Sequence, residues 1–291
     1  MALVQYSDSE SDAEQEAPPR KISKIRQDTQ SRRQTSPLPP LPATFHDLYA
    51  SSTRISVRDD PSLHGGRKRV IPHVEGNWPT HIYIEWYPSK KELEILGDII
   101  TQAEDILHGE RTKLHSLLHS DLGAQLPLHI SLSRPVVLRT EERQPFMDTF
   151  EAALYDSDIT AFDVQLRSLD WVSNTERTRW FYVLRAQSLH GDYMNRLLRI
   201  SNRSLALFGQ PPLYESDSPK AHAAQGNTSD SPNDVSEAFH VSIAWSLAEP
   251  SPDDRNRMED VDLQMLKELK IRFDCVKVKI GNHVSSIALS R

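Results

Sequence analysis

Two short stretches constrain this chain more than any other feature. PLHISLSRP runs from Pro127 and AFHVSIAWS from Ala238, and their histidines, His129 and His240, stand 111 residues apart. Both alternate apolar and polar residues with period two, which marks a strand with one buried face. In the first, Leu128, Ile130 and Leu132 share one face while His129, Ser131 and Ser133 share the other. In the second, Phe239, Val241, Ile243 and Trp245 oppose His240, Ser242 and Ser246. The chain therefore has to build two half-buried strands, each presenting an imidazole beside a hydroxyl. The flanks make the signal, because 12 His and 45 Ser or Thr in 291 residues produce about two His-x-Ser/Thr steps by chance. A third step, His283-Val284-Ser285, has its His on a face with Ile287 and Leu289 and reads as part of a terminal hairpin.

The rest of the chain reads as mixed α and β. HIYIEWYP (His81–Pro88) is an expected strand, and Ser89 with Glu92 three residues on signals a helix start. Leu93, Leu96, Ile100, Ala103 and Leu107 trace one face of that helix. Further helices are expected over 144–155, 189–207 and 258–270. Two strands, FDVQLRSLDWV and RWFYVLRA, flank the turn-like SNTERT, where Asn174 and Thr175 serve the turn. A last hairpin turns at Gly281-Asn282. The residues before 66 pass from an acidic Ser-rich run through RKISKIRQDTQSRR to SPLPPLPA without a sustained apolar period, so 1–65 reads as a disordered tail. Its basic patch is a candidate nuclear-import signal, and a solvated tail is the plain alternative. Residues 215–237 contain Val235 as their single large apolar residue and read as a mobile insertion in a domain spanning 66–291.

Net charge is −7, but residues 1–60 contribute −1 and 215–237 contribute −4, which leaves −2 for the remainder. A nearly neutral domain does not grip a long duplex; any nucleic acid must be met locally, in a cleft. No apolar run reaches the roughly 18 residues of a membrane span. The lone Cys275 permits no internal disulfide and no Cys-rich zinc site. An intracellular protein without membrane contact is expected.

Two His-Ser strands facing each other across a groove would suit phosphodiester chemistry. Imidazole titrates near neutrality, so one His can accept a proton while the other donates one to the departing oxygen. Each Ser hydroxyl can donate to a non-bridging phosphate oxygen. Such a site needs no metal and no cofactor, and attack by an RNA 2′-OH would leave a 2′,3′-cyclic phosphate. DNA, lacking that hydroxyl, would resist. The competing reading is that these are the polar faces of two ordinary edge strands. Arg134, Trp171 and Trp180 are further candidates, for phosphate and for base stacking, with strand-end and core roles as the alternatives.

Paired His-x-Ser steps in separated strands resemble the 2H phosphoesterase superfamily. LHISLSRPVVLR, SNTERTRWFYVLRA, and LYE followed by FHVSIAW together resemble the U6 small nuclear RNA phosphodiesterase family, over roughly 69–291. The resemblance implies an α/β (α+β), two-lobed fold with antiparallel sheets lining a central groove. It implies a 3′-to-5′ exoribonuclease trimming the uridine-rich 3′ end of U6 snRNA, nuclear and monomeric. His129 and His240 would be acid and base, with His240 leaning to base, and Ser131 and Ser242 would hold the phosphate. An aromatic that stacks on the terminal base maps to Tyr214, although the 215–237 insertion separates it from His240. A cyclic phosphodiesterase or 2′-5′ RNA ligase-like enzyme remains open on the same four residues, as does a non-catalytic RNA-binding module.

Overall fold

Alternating burial builds the frame. The computed structural model describes residues 74–107, 113–189, 191–215 and 234–290. The tail expected at 1–65 and residues 216–233 of the expected insertion lie outside them. Strand β1 (Asn77–Trp86) buries Ile82, Ile84 and Trp86 and turns His81, Tyr83 and Glu85 to the other face. The remaining strands are β2 (His115–Ser116), β3 (Leu128–Ser131), β4 (Val136–Arg139), β5 (Phe162–Ser173), β6 (Trp180–Ser188), β7 (His240–Ser246), β8 (Lys270–Phe273), β9 (Cys275–Ile280) and β10 (His283–Ala288). Together they form one curled antiparallel sheet, ordered β10-β9-β1-β3-β7-β6-β5-β8, with β4 beside β1 and β2 beside β7. The two His-Ser strands belong to different halves of this sheet, and the halves join at a single registered pair, Ile130↔Val241.

Helices cover the apolar side. Helix α1 (Lys90–Leu107) starts where Ser89 Oγ accepts from Glu92 N at 3.4 Å and Glu92 Oε2 accepts from Ser89 N at 2.6 Å, the reciprocal cap read in the sequence. It buries Ile95, Leu96, Ile99, Ile100, Ala103 and Leu107. Helix α2 (Arg143–Tyr155) contributes Phe146, Phe150 and Leu154, and α3 (Tyr193–Ala206) contributes Leu197, Leu198 and Leu205. These join the inward residues of the strands in one apolar cluster. Burying each such side chain contributes about 1.5–3 kcal/mol, so the apolar side holds the fold and the polar side is left for other work.

One helix expectation is corrected. Residues 258–270 do not form a continuous helix; Met258–Asp260 and Met265–Glu268 are separate 3₁₀ turns, preceded by α4 (Pro252–Arg257). The break has a local cause. Asp262 N donates to Gln102 Oε1 at 3.0 Å and Asp262 Oδ1 accepts from Gln264 N at 2.9 Å, which diverts this backbone from helical bonding. Trp171 and Trp180 are core residues, each 6% exposed, and supply no open stacking surface. Asn174 does serve its turn, its Oδ1 accepting from Thr178 N and Arg179 N.

The β9–β10 turn carries a stability prediction. Gly281 has φ +61°, and a Cβ there would lie 2.6 Å from Trp78 Cε3. Gly281→Ala is expected to destabilise the fold by about 1–3 kcal/mol, from the strained φ and the displaced indole. Urea unfolding measures this, and a midpoint equal to the parent's would refute it.

Candidate active site

The register of the sheet assembles the site. Ile130 and Val241, directly opposite, point into the core, so their neighbours His129, Ser131, His240 and Ser242 all fall on the polar face. Continued by one residue, the register sets His129 across from Ser242 and Ser131 across from His240. The two imidazoles thus occupy diagonal positions, with backbones roughly 7–8 Å apart. The strands are side by side in one sheet rather than facing across a gap. Each half still delivers one His and one Ser.

His240 is held by its backbone surroundings. Its Nδ1 lies 2.8 Å from Ala238 O, and because a carbonyl only accepts, Nδ1 carries the proton in that bond. In the neutral ring Nε2 then keeps its lone pair. Arg185 stands opposite His240 in the β6–β7 register, and its Nη1 donates to the same carbonyl at 3.3 Å. Asp170 holds that guanidinium, accepting from Nε at 3.1 Å and also from Nη2. Burial, the largest influence, lowers the His240 pKa; the bond to Ala238 opposes it, Arg185 adds to it and Asp170 opposes it.

His129 is exposed, yet burial is the first cause of a pKa pushed down to about 4, with the charge of His240 second. That direction leaves the ring neutral at pH 7 in the free protein, and a phosphate anion bound beside it would favour the protonated form.

The polar face also carries a third imidazole, to which sequence reasoning gave no role. His81 Nε2 lies 3.1 Å from Ser131 Oγ, and the His81 ring meets His129 edge-on at 5.4 Å. The signal was present in THIYIEW, where His81 and Tyr83 alternate with Ile82 and Ile84 just as the tetrads do; no Ser follows at the second position to draw attention. Ser133 and Ser246, by contrast, share the polar alternation but are buried. Ser133 Oγ accepts from Ile82 N and Ser246 Oγ from Ala248 N, so both serve the backbone.

Tyr214 comes to the same place despite the insertion. Its hydroxyl lies 3.5 Å from His240 Nδ1 and its ring meets Phe239 edge-on at 6.0 Å. Burial raises its pKa to about 12, so the phenol stays protonated. Its φ of +62° is unusual for a non-glycine residue, and Asn202 accounts for its persistence. Asn202 on α3 accepts from Leu213 N at 2.9 Å and donates to Leu213 O at 3.0 Å and Glu215 Oε1 at 3.1 Å, gripping both flanks. Two turns earlier, Asn195 grips the returning chain: it donates to Asp234 Oδ1 at 2.8 Å and Ser236 Oγ at 3.0 Å, and accepts from Val235 N at 3.2 Å. Both asparagines are buried. One helix therefore anchors the chain on both sides of 216–233, at Leu213–Glu215 and at Asp234–Ser236. Arg134, half-buried, directly follows Ser133. Among the described residues, no three His, Cys, Asp or Glu side chains are grouped so as to hold a metal ion.

The chain matches the family described as "HVSL: Uncharacterised conserved protein" over residues 39–288. Each of its tetrads, HISL and HVSI, differs from those four letters at one position. It is 35% identical to U6 snRNA phosphodiesterase 1 of Neurospora crassa, over 88% of this chain and 76% of that protein. It is 27% identical to the human protein of the same name, over 98% and 93%. In fold it is similar to Kluyveromyces marxianus Usb1, with TM-score 0.51 and 16% identity over 72% of this chain and 98% of that one. That protein has also been solved with uridine monophosphate; its similarity to this chain there is TM-score 0.50 at 17% identity. By these matches the chain belongs to the HVSL family and to the family of U6 snRNA phosphodiesterases.

Proposed function

We propose that the protein is a metal-independent RNA phosphodiesterase of the two-His type, a 3′-5′ exonuclease that trims the uridine-rich 3′ end of U6 snRNA. His240 Nε2 removes the proton from the 2′-OH of the penultimate nucleotide. That oxygen attacks the adjacent phosphorus, and the bond from phosphorus to the 5′-oxygen of the terminal nucleoside breaks. His129, protonated, gives its proton to the leaving oxygen. Ser131 and Ser242 donate to the non-bridging oxygens as charge accumulates there. The shortened RNA keeps a 2′,3′-cyclic phosphate, which the same His pair can open to a 3′-phosphate by admitting water in place of the nucleoside. Tyr214, beside His240, offers its ring to the terminal base.

The observation that carries this reading is the gathering of two imidazoles and two hydroxyls, 111 residues apart along the chain, around one registered pair. The Ala238 bond adds the assignment of His240 as base, since it leaves Nε2 free to accept. The relatives are named for a small nuclear RNA, which supports action in the nucleus. A monomer suffices, because all four groups come from one chain.

The test is to incubate the protein with 5′-labelled oligouridine RNA in EDTA and identify the product ends. Stepwise loss from the 3′ end, with cyclic phosphate or 3′-phosphate termini, is expected. Opening of a cyclic end without shortening would favour a cyclic phosphodiesterase instead. Dependence on a divalent ion would sink the mechanism.

A further inference from the structure

His81 stands in β1 beside the site, close to one of the two serines proposed to hold the phosphate. Tyr83, two residues on, is registered opposite Ser131, and His81 itself is registered opposite Lys279 of β9. The His81 ring stacks on Tyr83, with centroids 5.1 Å apart and planes 26° apart, and meets His129 edge-on. Tyr83 also meets His129 edge-on at 5.4 Å. The ring is thus fixed on two sides, and its Nε2 is directed at Ser131 Oγ, 3.1 Å away. Burial, then the charges of His129 and Lys279, lower its pKa to about 3, so it is neutral at pH 7.

A neutral imidazole has one N–H and one lone pair, and a serine hydroxyl has a single proton. If Ser131 donated to His81, it would have no proton left for a phosphate oxygen. If His81 donates from Nε2 to Oγ, the hydroxyl proton is turned toward the open polar face. We infer that His81 is a positioning residue that donates Nε2–H to Ser131 Oγ and so aims the hydroxyl of Ser131 at the non-bridging oxygen of the scissile phosphate. The inference rests on the proposed role of Ser131 as a phosphate donor. It gives the site a third histidine that neither accepts nor releases a proton during the reaction.

The test is a double-mutant cycle in the full chain, acting on oligouridine RNA. His81→Phe keeps the ring stacked but removes the donor; it is expected to lower kcat about tenfold with KM nearly unchanged, the loss of one aimed hydrogen bond. His81→Gln, whose amide nitrogen reaches the Nε2 position, should recover activity to within about threefold of the parent. In a Ser131→Ala background, His81→Phe should have no further effect, because the hydroxyl it aims is gone. Additive losses across the cycle, or a Gln variant no better than Phe, would overturn the inference. If the Phe variant fails to fold, imidazole ¹⁵N–¹H spectra of the parent decide. A protonated Nε2 that does not titrate between pH 5 and 8 is expected, and a protonated Nδ1 contradicts it. Full activity in Ser131→Ala alone would instead remove the phosphate role of Ser131, a different failure from an inert His81→Phe beside a crippled Ser131→Ala.

Discussion

His240→Ala and His129→Ala are each expected to lower kcat on oligouridine RNA by about 10²–10⁴-fold, the usual worth of a positioned general acid or base. The two losses should not multiply in the double variant, because acid and base act in one step. The pH dependence separates their roles. Both pKa values are lowered in the free protein, so the bell of kcat/KM against pH should peak on the acid side of ordinary imidazole. The sign follows from the protons required. His240 must be unprotonated, which is lost as pH falls; His129 must be protonated, which is lost as pH rises. His240→Ala should therefore abolish the acid limb and His129→Ala the alkaline limb. A bound phosphodiester anion favours imidazolium, so the profile of kcat should lie at higher pH than that of kcat/KM. Activity within tenfold of the parent in either variant would refute the two-His mechanism. Exchanged limbs would keep the mechanism and reverse the assignment.

An RNA with a 2′-deoxy sugar at the penultimate position alone is expected to be inert, its cleavage slowed by at least about 10⁴-fold. The nucleophile in the proposed step belongs to the substrate, and a neighbouring hydroxyl held in line is worth an effective concentration of about 10⁵–10⁸ M over a free molecule. Deleting it removes that advantage without touching the protein. The deoxy RNA keeps its phosphate and its terminal base, so it should bind and compete with the all-ribose substrate at a concentration near KM. Cleavage at a rate comparable to the parent RNA would show that water is the nucleophile. Failure to compete would place the 2′-OH in binding rather than in chemistry.

Period-two alternation was enough to find β1, β3 and β7 and to turn His129, Ser131, His240 and Ser242 away from the core, because burial of one face is written locally; it also put Ser246 on that face, where the structure buries it. The pairing of β3 with β7 is not. It joins residues 111 apart, and the sequence is equally compatible with two strands on opposite walls of a cleft. What decides is the way the rest of the sheet closes. His81 was missed for a related reason: its partner Ser131 is 50 residues away, on a strand whose neighbour no local pattern names. The expected helix over 258–270 failed on a single residue, Asp262, whose polar bonds outcompete the periodicity of Leu263, Leu266 and Leu269 around it. Tyr214 was doubtful in the sequence because of the insertion, and only the paired grips of Asn195 and Asn202 explain how it keeps its position.

Those two asparagines, seven residues apart on α3, leave their captive chain ends separated by about 10 Å of helix rise. Such a span is bridged by a few residues of linker, or by any inserted protein whose own termini meet at that distance. The locus between Glu215 and Asp234 is thus a natural port for grafting: a reporter or tether spliced in there would hang from a rigid mount, and the cost of ordering its junctions would fall on α3 rather than on the catalytic strand.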